Sequence, residues 1–169
     1  MNNTLPIVDI TDNETGCCPK FHAEDWDGLE VKLDQEQFVK VETKSLFFIP
    51  LNMGKVMQKV QTAIQENGAE DKDRYLMLSK DMSPFKAQHY IKVSKPVPGY
   101  ETKSILGTFQ TKVYDAEYRE LPKLIKKFDQ ELTENGHHVL DRYAFYTTCP
   151  NCAKHYGHNY IVLFHKISD

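Results

Sequence analysis

The four cysteines of this chain come in two pairs whose residue type and spacing suit metal chemistry. Cys17 and Cys18 are adjacent and precede Pro19, whereas Cys149 and Cys152 form a C-x-x-C sequence. A C-x-x-C segment lets two thiolates meet one Zn²⁺ ion, and a second cysteine pair completes a tetrahedral ligand set. Because neighbouring side chains diverge in extended backbone, a tight turn at Pro19 has to reunite the adjacent pair. The sequence therefore predicts a structural zinc held by all four cysteines.

Three other interpretations of these thiols stay open. A C-x-x-C pair can be a redox centre, although that motif normally opens a helix in a thioredoxin-like setting, which the sequence does not predict. Cys18 or Cys149 beside a histidine can act as a nucleophile. The cysteines can also be ordinary buried or exposed thiols. Further ligands near them in sequence are His22, His155 and His158.

Two carboxylates, Asp115 and Glu117, stand just before a predicted helix. Acidic side chains stabilise the positive end of a helix, which explains them without any function. If the protein hydrolyses something, either carboxylate can hold a water as general base while a tyrosine donates a proton. No G-x-S-x-G, H-E-x-x-H or phosphate-binding glycine loop occurs, which argues against serine hydrolases, zincins and nucleotide binders.

Aromatic residues form a third group of candidates, because they lie on predicted strands or at the start of that helix. Core packing explains half of them or more, and strand alternation allows only one set to line a pocket. Trp26, which lies among acidic residues, can fold over a groove as a lid or anchor its segment to the surface. The aromatic candidates for ligand binding are Trp26, Phe48, Tyr114, Tyr118 and Tyr146.

The strands and helix that are predicted to position these residues belong to a sequence unit that occurs twice in the chain. Residues 43–79 match residues 111–147 at a shift of 68 positions without a gap, including Glu-Asn-Gly and Asp-Arg-Tyr in each copy. Apolar residues at steps of three and four predict one helix face around Val56 and an equivalent face around Leu124. Both helices are expected to end at Asn-Gly, where glycine accepts a left-handed conformation.

This pattern predicts an α+β fold made of a duplicated strand-helix-strand-strand unit with pseudo-twofold symmetry, an antiparallel sheet and two helices. Repeat 1 covers about 38–95 and repeat 2 about 105–166, within a single domain over 29–169. Residues 1–28 are predicted to be an arm that carries Cys17 and Cys18. A turn is expected at 35–37, and two extra residues place Cys149 to Cys152 in a strand-to-strand loop. We expect a groove between the two repeats.

The second copy resembles the GyrI-like domain, the ligand-binding module also attached to transcription activators of the Rob and BmrR type. The resemblance rests on GTFQTKVYDAEYRELPKLIKKFDQEL, in which Tyr118 matches a turn tyrosine, and on YAFY at 143–146. It extends over roughly 38–166 and implies that Tyr118 and Tyr146 lie at the groove. Ala144 stands where the family often has a ligand-contacting glutamate, so cation recognition by that residue does not carry over.

The layout also resembles a free-standing bacterial branch of this family that is labelled hydrolase. Some of its members hydrolyse small electrophiles with a glutamate and pocket aromatics. In this chain Ala116 and Glu117 stand where the family has Gly-Pro, so Glu117 is a candidate general base from its own position before the helix. The resemblance places Tyr118 and Tyr146 at the groove, and the candidate catalytic residues are Glu117, Tyr118 and Tyr146.

Length, net charge and the lengths of apolar runs argue against some classes of function. A length of 169 residues fits one domain, and a net charge of −3 gives no electrostatic footprint for nucleic acid. No apolar run approaches the ~20 residues of a membrane span, and the N-terminus shows no secretory signal. We therefore expect a cytoplasmic protein without nucleic-acid or membrane partners. The predicted function is binding of a small apolar or aromatic ligand in an aromatic cleft, and the alternative is hydrolysis in the same cleft.

Overall fold

The chain folds into two compact units in a computed structural model that describes residues 4–168. Within the described residues, unit 1 combines 4–33 with 107–168, and unit 2 comprises 34–106. Strands in both units pair in antiparallel fashion, and the described residues contain three α-helices. The fold class is therefore α+β, as predicted.

Unit 2 consists of four antiparallel strands and one helix. Its strands pair in the order β2-β1-β4-β3. Strand β1 begins a few residues before the boundary of the unit. In chain order the elements are β1 (Glu30–Leu46), β2 (Ile49–Pro50), α1 (Met53–Glu66), β3 (Met77–Ser83) and β4 (Lys86–Val93).

Unit 1 places its last strand in the centre of a three-stranded sheet, in the order β6-β7-β5. Strand β5 begins before the unit boundary, and 3-10 helices occur at Ala23–Asp25 and Tyr118–Glu120. In chain order the remaining elements are β5 (Glu101–Asp115), α2 (Leu121–Glu134), β6 (Val139–Tyr146), α3 (Pro150–Tyr156) and β7 (Tyr160–Ile167).

Both predicted helices pack with the predicted face. Helix α1 buries Val60 and Ile64 against its own sheet, and α2 buries Phe128 and Leu132 in the same way. Each helix ends at Asn-Gly, where the glycines have φ angles of 60° and 83°. The side chain of Asn52, which precedes α1, makes no capping hydrogen bond to the helix and accepts a hydrogen bond from the Lys44 N–H at 2.8 Å.

Two expectations about the elements are wrong. The segment with Cys149 and Cys152 is helix α3 rather than a loop, so the described residues contain three helices instead of two. Strand β1 continues through the expected turn at 35–37. Gln35 has a positive φ of 60°, but this local change of backbone conformation does not end the strand.

The repeat predicts a strand-helix-strand-strand order. Unit 2 contains this order, whereas in unit 1 helix α3 lies between the last two strands. The superposition of the two copies and their pseudo-twofold symmetry stay predictions, as does the boundary at residue 28. Over residues 4–168, none of the helices has the length and apolar character needed to cross a membrane.

Candidate functional site

The four cysteines come together in unit 1. Their Sγ atoms all lie within 4.8 Å of one another, so the group can hold a metal ion. The Sγ atoms of Cys17 and Cys18 are 3.8 Å apart, and the N–H of Cys149 donates to Cys18 Sγ at 3.4 Å. All four thiols are free of disulfide bonds. The expectation that the arm meets the C-x-x-C segment is therefore confirmed.

A turn at residues 13–16 brings the adjacent cysteines to the same side. The Thr15 hydroxyl oxygen accepts hydrogen bonds from the backbone N–H groups of Cys17 and Cys18, each at 3.2 Å. Such side-chain-to-backbone bonds are typical of serine and threonine turns. The turn thus precedes the cysteines, whereas the sequence places it after them, at Pro19.

The protein environment moves the pKa values of two of these thiols in opposite directions. Burial raises the pKa of Cys18. The 3.3 Å contact with the Thr15 hydroxyl lowers the pKa of Cys152 to about 7. Because Cys152 is only 3% exposed, its thiolate is poorly accessible to an external substrate. The C-x-x-C sequence does open a helix, α3, which is the local arrangement that redox motifs share.

A cavity of about 250 Å³ lies next to the cysteine group. The arm segment that follows Cys18 forms one wall, and side chains around α3 and the start of β7 form another. The lining residues are the segment 20–24 with Thr148, Tyr156, His158 and Tyr160.

An aspartate orients the histidine at the rim of this cavity. The Nδ1 atom of His158 lies 2.7 Å from Asp115 Oδ2, and Asp115 Oδ1 accepts the Asn159 N–H at 2.8 Å. The hydrogen bond with His158 lowers the pKa of Asp115, so this carboxyl is ionised at neutral pH. The imidazole also stacks on Tyr160, with ring centroids 5.0 Å apart and an interplanar angle of 14°. With Nδ1 bound to the carboxylate, Nε2 is the ring nitrogen left for a substrate.

The pairing of β5 with β7 creates this arrangement. Asp115 is the last residue of β5 and lies opposite Tyr160, the first residue of β7. His158 immediately precedes that strand. From the sequence, Asp115 is a possible general base and His158 is only a spare metal ligand. The sequence does not predict that they pair, because no local motif connects residues so far apart in the chain.

Tyr156 lines the cavity and also contacts the backbone of the cysteine segment. Its hydroxyl donates to the Cys18 carbonyl oxygen at 2.9 Å and accepts the Glu14 N–H at 3.2 Å. Beside it, His155 Nε2 lies 2.9 Å from Glu14 Oε2. The arm is therefore joined to α3 by polar contacts at Glu14 and at Cys18.

Three of the five predicted ligand-binding aromatics lie together, on the α2 side of the sheet. The rings of Tyr118 and Tyr146 are 5.9 Å apart, and Tyr114 packs with Tyr146 against the core under α2. The Tyr114 hydroxyl is buried and has no hydrogen-bond partner among residues 4–168. Burial raises the pKa of Tyr114 to about 12. Strand alternation places this tyrosine group and the cavity on opposite faces of the sheet.

The other two aromatics lie elsewhere. Trp26 is 3% exposed and packs against Phe21, Phe145 and Phe164, so it anchors the arm in the core and is not a lid. Phe48 belongs to unit 2, where it is 42% exposed.

Glu117, the predicted base, is occupied by helix-end contacts. Its side chain and that of Glu120 form a capping box at the start of the 3-10 helix, and its carboxylate lies 2.7 Å from Arg119. The structural explanation for an acidic residue at this position therefore accounts for Glu117.

Comparisons with known proteins agree with the fold. The family model described as bacterial hydrolase matches residues 8–167. A crystal structure of an uncharacterized conserved protein from Listeria innocua is 10% identical, with a TM-score of 0.60 and coverage of 84% of this chain and 92% of that chain. A hydrolase from Listeria innocua is 8% identical, with a TM-score of 0.58 and coverage of 85% and 92%. At these identities the likeness concerns the fold alone. A comparison with curated proteins finds no match.

Proposed function

Because this chain belongs to the bacterial hydrolase family over residues 8–167, we propose that it binds a small molecule and hydrolyses it in the cavity beside His158. The observation that carries this proposal is the Asp115–His158 pair at the rim of that cavity. A histidine held by a carboxylate through Nδ1 presents Nε2 as a base, which is the arrangement that general-base catalysis uses.

In the proposed reaction a water molecule is the nucleophile. Nε2 of His158 takes a proton from this water while the water oxygen attacks the electrophilic carbon of the substrate. The bond to the leaving oxygen then breaks, and the imidazolium returns the proton to that oxygen. Lys20, which lines the same cavity, supplies positive charge for the oxyanion that develops.

The cavity limits the substrate to a small molecule. A volume of about 250 Å³ corresponds to roughly eight water molecules at about 30 Å³ each. The walls combine the rings of Phe21, Tyr156 and Tyr160 with polar and charged side chains, so an aromatic or apolar group can pack on the rings while a polar group faces the other side chains. We therefore propose a small apolar or aromatic electrophile, such as an activated ester, as the substrate class.

The predicted zinc has a structural part in this proposal. If all four thiolates are ligands, no coordination position is left for water or substrate, which is the arrangement of structural zinc sites. Water activation is therefore assigned to His158.

The test uses p-nitrophenyl acetate and p-nitrophenyl butyrate as probes. Replacing a general base costs about 100-fold or more in rate, so we expect His158→Gln to lower kcat/KM at least that much. Asp115→Asn should lower kcat/KM as well, because the imidazole loses its orienting partner. His138→Gln is the control, because His138 is exposed and lies outside the cavity lining.

Two outcomes would contradict this proposal. Hydrolysis of the probes by His158→Gln at the rate of the unmodified protein would remove the assigned role of this residue. Failure of the unmodified protein to hydrolyse either ester would reject esterolysis in the cavity.

A second candidate function is ligand binding without hydrolysis at Tyr114, Tyr118 and Tyr146. This is the mode that the resemblance to GyrI-like domains implies. The ring contact between Tyr118 and Tyr146 at 5.9 Å supports it, because the Tyr118 ring is 40% exposed and can meet a ligand.

A further inference from the structure

We propose that Cys17, Cys18, Cys149 and Cys152 bind one Zn²⁺ ion, and that this ion holds the arm against α3 and so builds one wall of the cavity. The metal site stands on the geometry of the cysteines alone. Only its consequence for the cavity rests on the proposed hydrolytic function.

The sulfur positions fit a tetrahedral zinc. A Zn–S distance of about 2.3 Å implies sulfur–sulfur distances of about 3.8 Å in a regular tetrahedron. The Sγ atoms of Cys17 and Cys18 are 3.8 Å apart, and all four Sγ atoms lie within 4.8 Å of one another.

The chemistry of the ligand set favours zinc. Four soft thiolates in tetrahedral arrangement select Zn²⁺ over the hard cations, which prefer oxygen. The Cys149 N–H, which points at Cys18 Sγ, stabilises negative charge on that sulfur. A hydrogen bond of this kind supports a thiolate ligand, whereas a disulfide sulfur carries no such charge.

Residues 11–20 of the arm, which include the first cysteine pair, have no apolar anchor of their own. No residue between 11 and 20 is buried, so apolar packing does not hold this segment. The ion pair of Glu14 with His155 joins side chains that are 55% and 49% exposed, and exposed ion pairs contribute little to stability. Metal–thiolate bonds supply folding free energy directly, and they would join residues 17–18 to the beginning of α3.

The same tether positions the cavity wall. Residues 20–24 of the lining follow the first cysteine pair, and Thr148 directly precedes Cys149. Tyr156, on α3 with Cys152, hydrogen-bonds to the Cys18 carbonyl oxygen. Loss of the ion would therefore remove the link at residues 17–18 and leave the two walls joined mainly by the ring contacts of Phe21 with Tyr160 and Phe145.

The first experiment measures metal in full-length protein purified without a metal-affinity step. We expect about one zinc per chain by elemental analysis, with four sulfur ligands at about 2.3 Å by zinc-edge X-ray absorption. The double substitution Cys149→Ser with Cys152→Ser should abolish zinc binding. His155→Ala is the matched control on the same helix and should retain the metal.

The second experiment tests the tether by limited proteolysis. Lys20 is the only trypsin site in the described part of the arm. Removal of zinc by a chelator should accelerate cleavage after Lys20 at least tenfold, and addition of zinc should restore resistance. An unchanged cleavage rate in zinc-depleted protein would overturn the tether.

Three results of the metal measurement would overturn the zinc site. These are zinc well below one per chain with four free thiols, zinc-free protein with disulfides, and iron in place of zinc. Metal content is measured without any substrate, so failure of the zinc site and failure of the hydrolytic proposal are distinguishable.

Discussion

Individual histidines serve different purposes in this chain. His158 is half exposed and engages one ionised carboxylate, which suits proton transfer. His89 is 5% exposed and lies between two hydroxyl groups, with Nε2 2.9 Å from Thr43 Oγ1 and Nδ1 2.8 Å from Ser79 Oγ. A neutral imidazole pairs with both hydroxyl groups, so we assign His89 a structural role.

Acid should destabilise the protein through His89. Burial lowers the pKa of His89 from its ordinary value of 6.5 to about 4. Below pH 6.5 the unfolded chain therefore binds a proton that the folded chain does not, and stability falls as the pH drops from about 6.5 to 4. At pH 5 the loss from this residue is about 2 kcal/mol, at about 1.4 kcal/mol per pKa unit.

Urea unfolding at pH 7.5 and pH 5 measures this effect. In His89→Gln, which cannot titrate, the difference in unfolding free energy between the two pH values should shrink by about that 2 kcal/mol. His138→Gln, at an exposed histidine, should behave like the unmodified protein. An unchanged pH difference in His89→Gln would contradict a lowered pKa at this residue.

The hydroxyls of Tyr118, just before α2, and of Tyr146, at the end of β6, should matter for binding more than for stability. Tyr118→Phe and Tyr146→Phe retain the rings that contact at 5.9 Å and remove only the hydroxyls. We expect each variant to lose less than about 1 kcal/mol of unfolding free energy and to bind an apolar dye such as anilinonaphthalene sulfonate differently. Early unfolding of both variants would show that the hydroxyls satisfy buried partners, and would place them outside a ligand site.

At the scale of elements, the sequence predicts best what has a strong local pattern. The apolar stripes of α1 and α2 and the Asn-Gly ends lie where expected, because each stripe of three to four residues per two turns determines its buried face. Helix α3 was missed because it has seven residues and buries only Cys152. A helix this short has little propensity of its own and no stripe to detect.

The candidate site was harder to predict than the helices. Asp115 and His158 meet only because β5 and β7 pair, and such non-local pairing leaves no spacing signal in one sequence. The cysteines were predictable because C-x-x-C is a local motif. The turn before them depends on the Thr15 side chain, which the sequence does not single out.

A side chain at position 107, where strand β5 enters unit 1, should destabilise the protein. Gly107 has a φ of 126°, a conformation that is strained for other residues. A Cβ there would also lie 2.5 Å from Cε of Lys166, although this flexible side chain can move. We expect Gly107→Ala to cost about 1–3 kcal/mol of unfolding free energy, measured by urea denaturation.

Gly54→Ala is the matched control for that substitution. Gly54 is in α1, and a Cβ there would contact nothing within 4 Å. Alanine in a helix is favoured over glycine by about 0.5–1 kcal/mol, so this variant should be neutral or more stable. Equal stability changes in the two variants would contradict the strain at Gly107.

At the scale of the whole molecule, composition and length predict less about the fold than the internal repeat does. A net charge of −3 over 169 residues is common to many kinds of protein. The repeated strand-helix-strand-strand order predicts the α+β class. Unit 2 contains that order, and in unit 1 it is interrupted by α3. The units are not equal, however, because only unit 1 carries α3 and the cysteine group.

The division of the chain into units has a consequence during synthesis. Unit 2 is one continuous stretch, residues 34–106, whereas unit 1 needs residues from both sides of it. The ribosome therefore completes the strands and helix of unit 2 while β7, the central strand of the unit 1 sheet, has not yet been translated. Phe21 and Trp26 emerge long before their ring partners Phe145 and Tyr160. Until those partners arrive, the nascent arm displays unpaired aromatic rings, the kind of surface from which chaperones protect a growing chain.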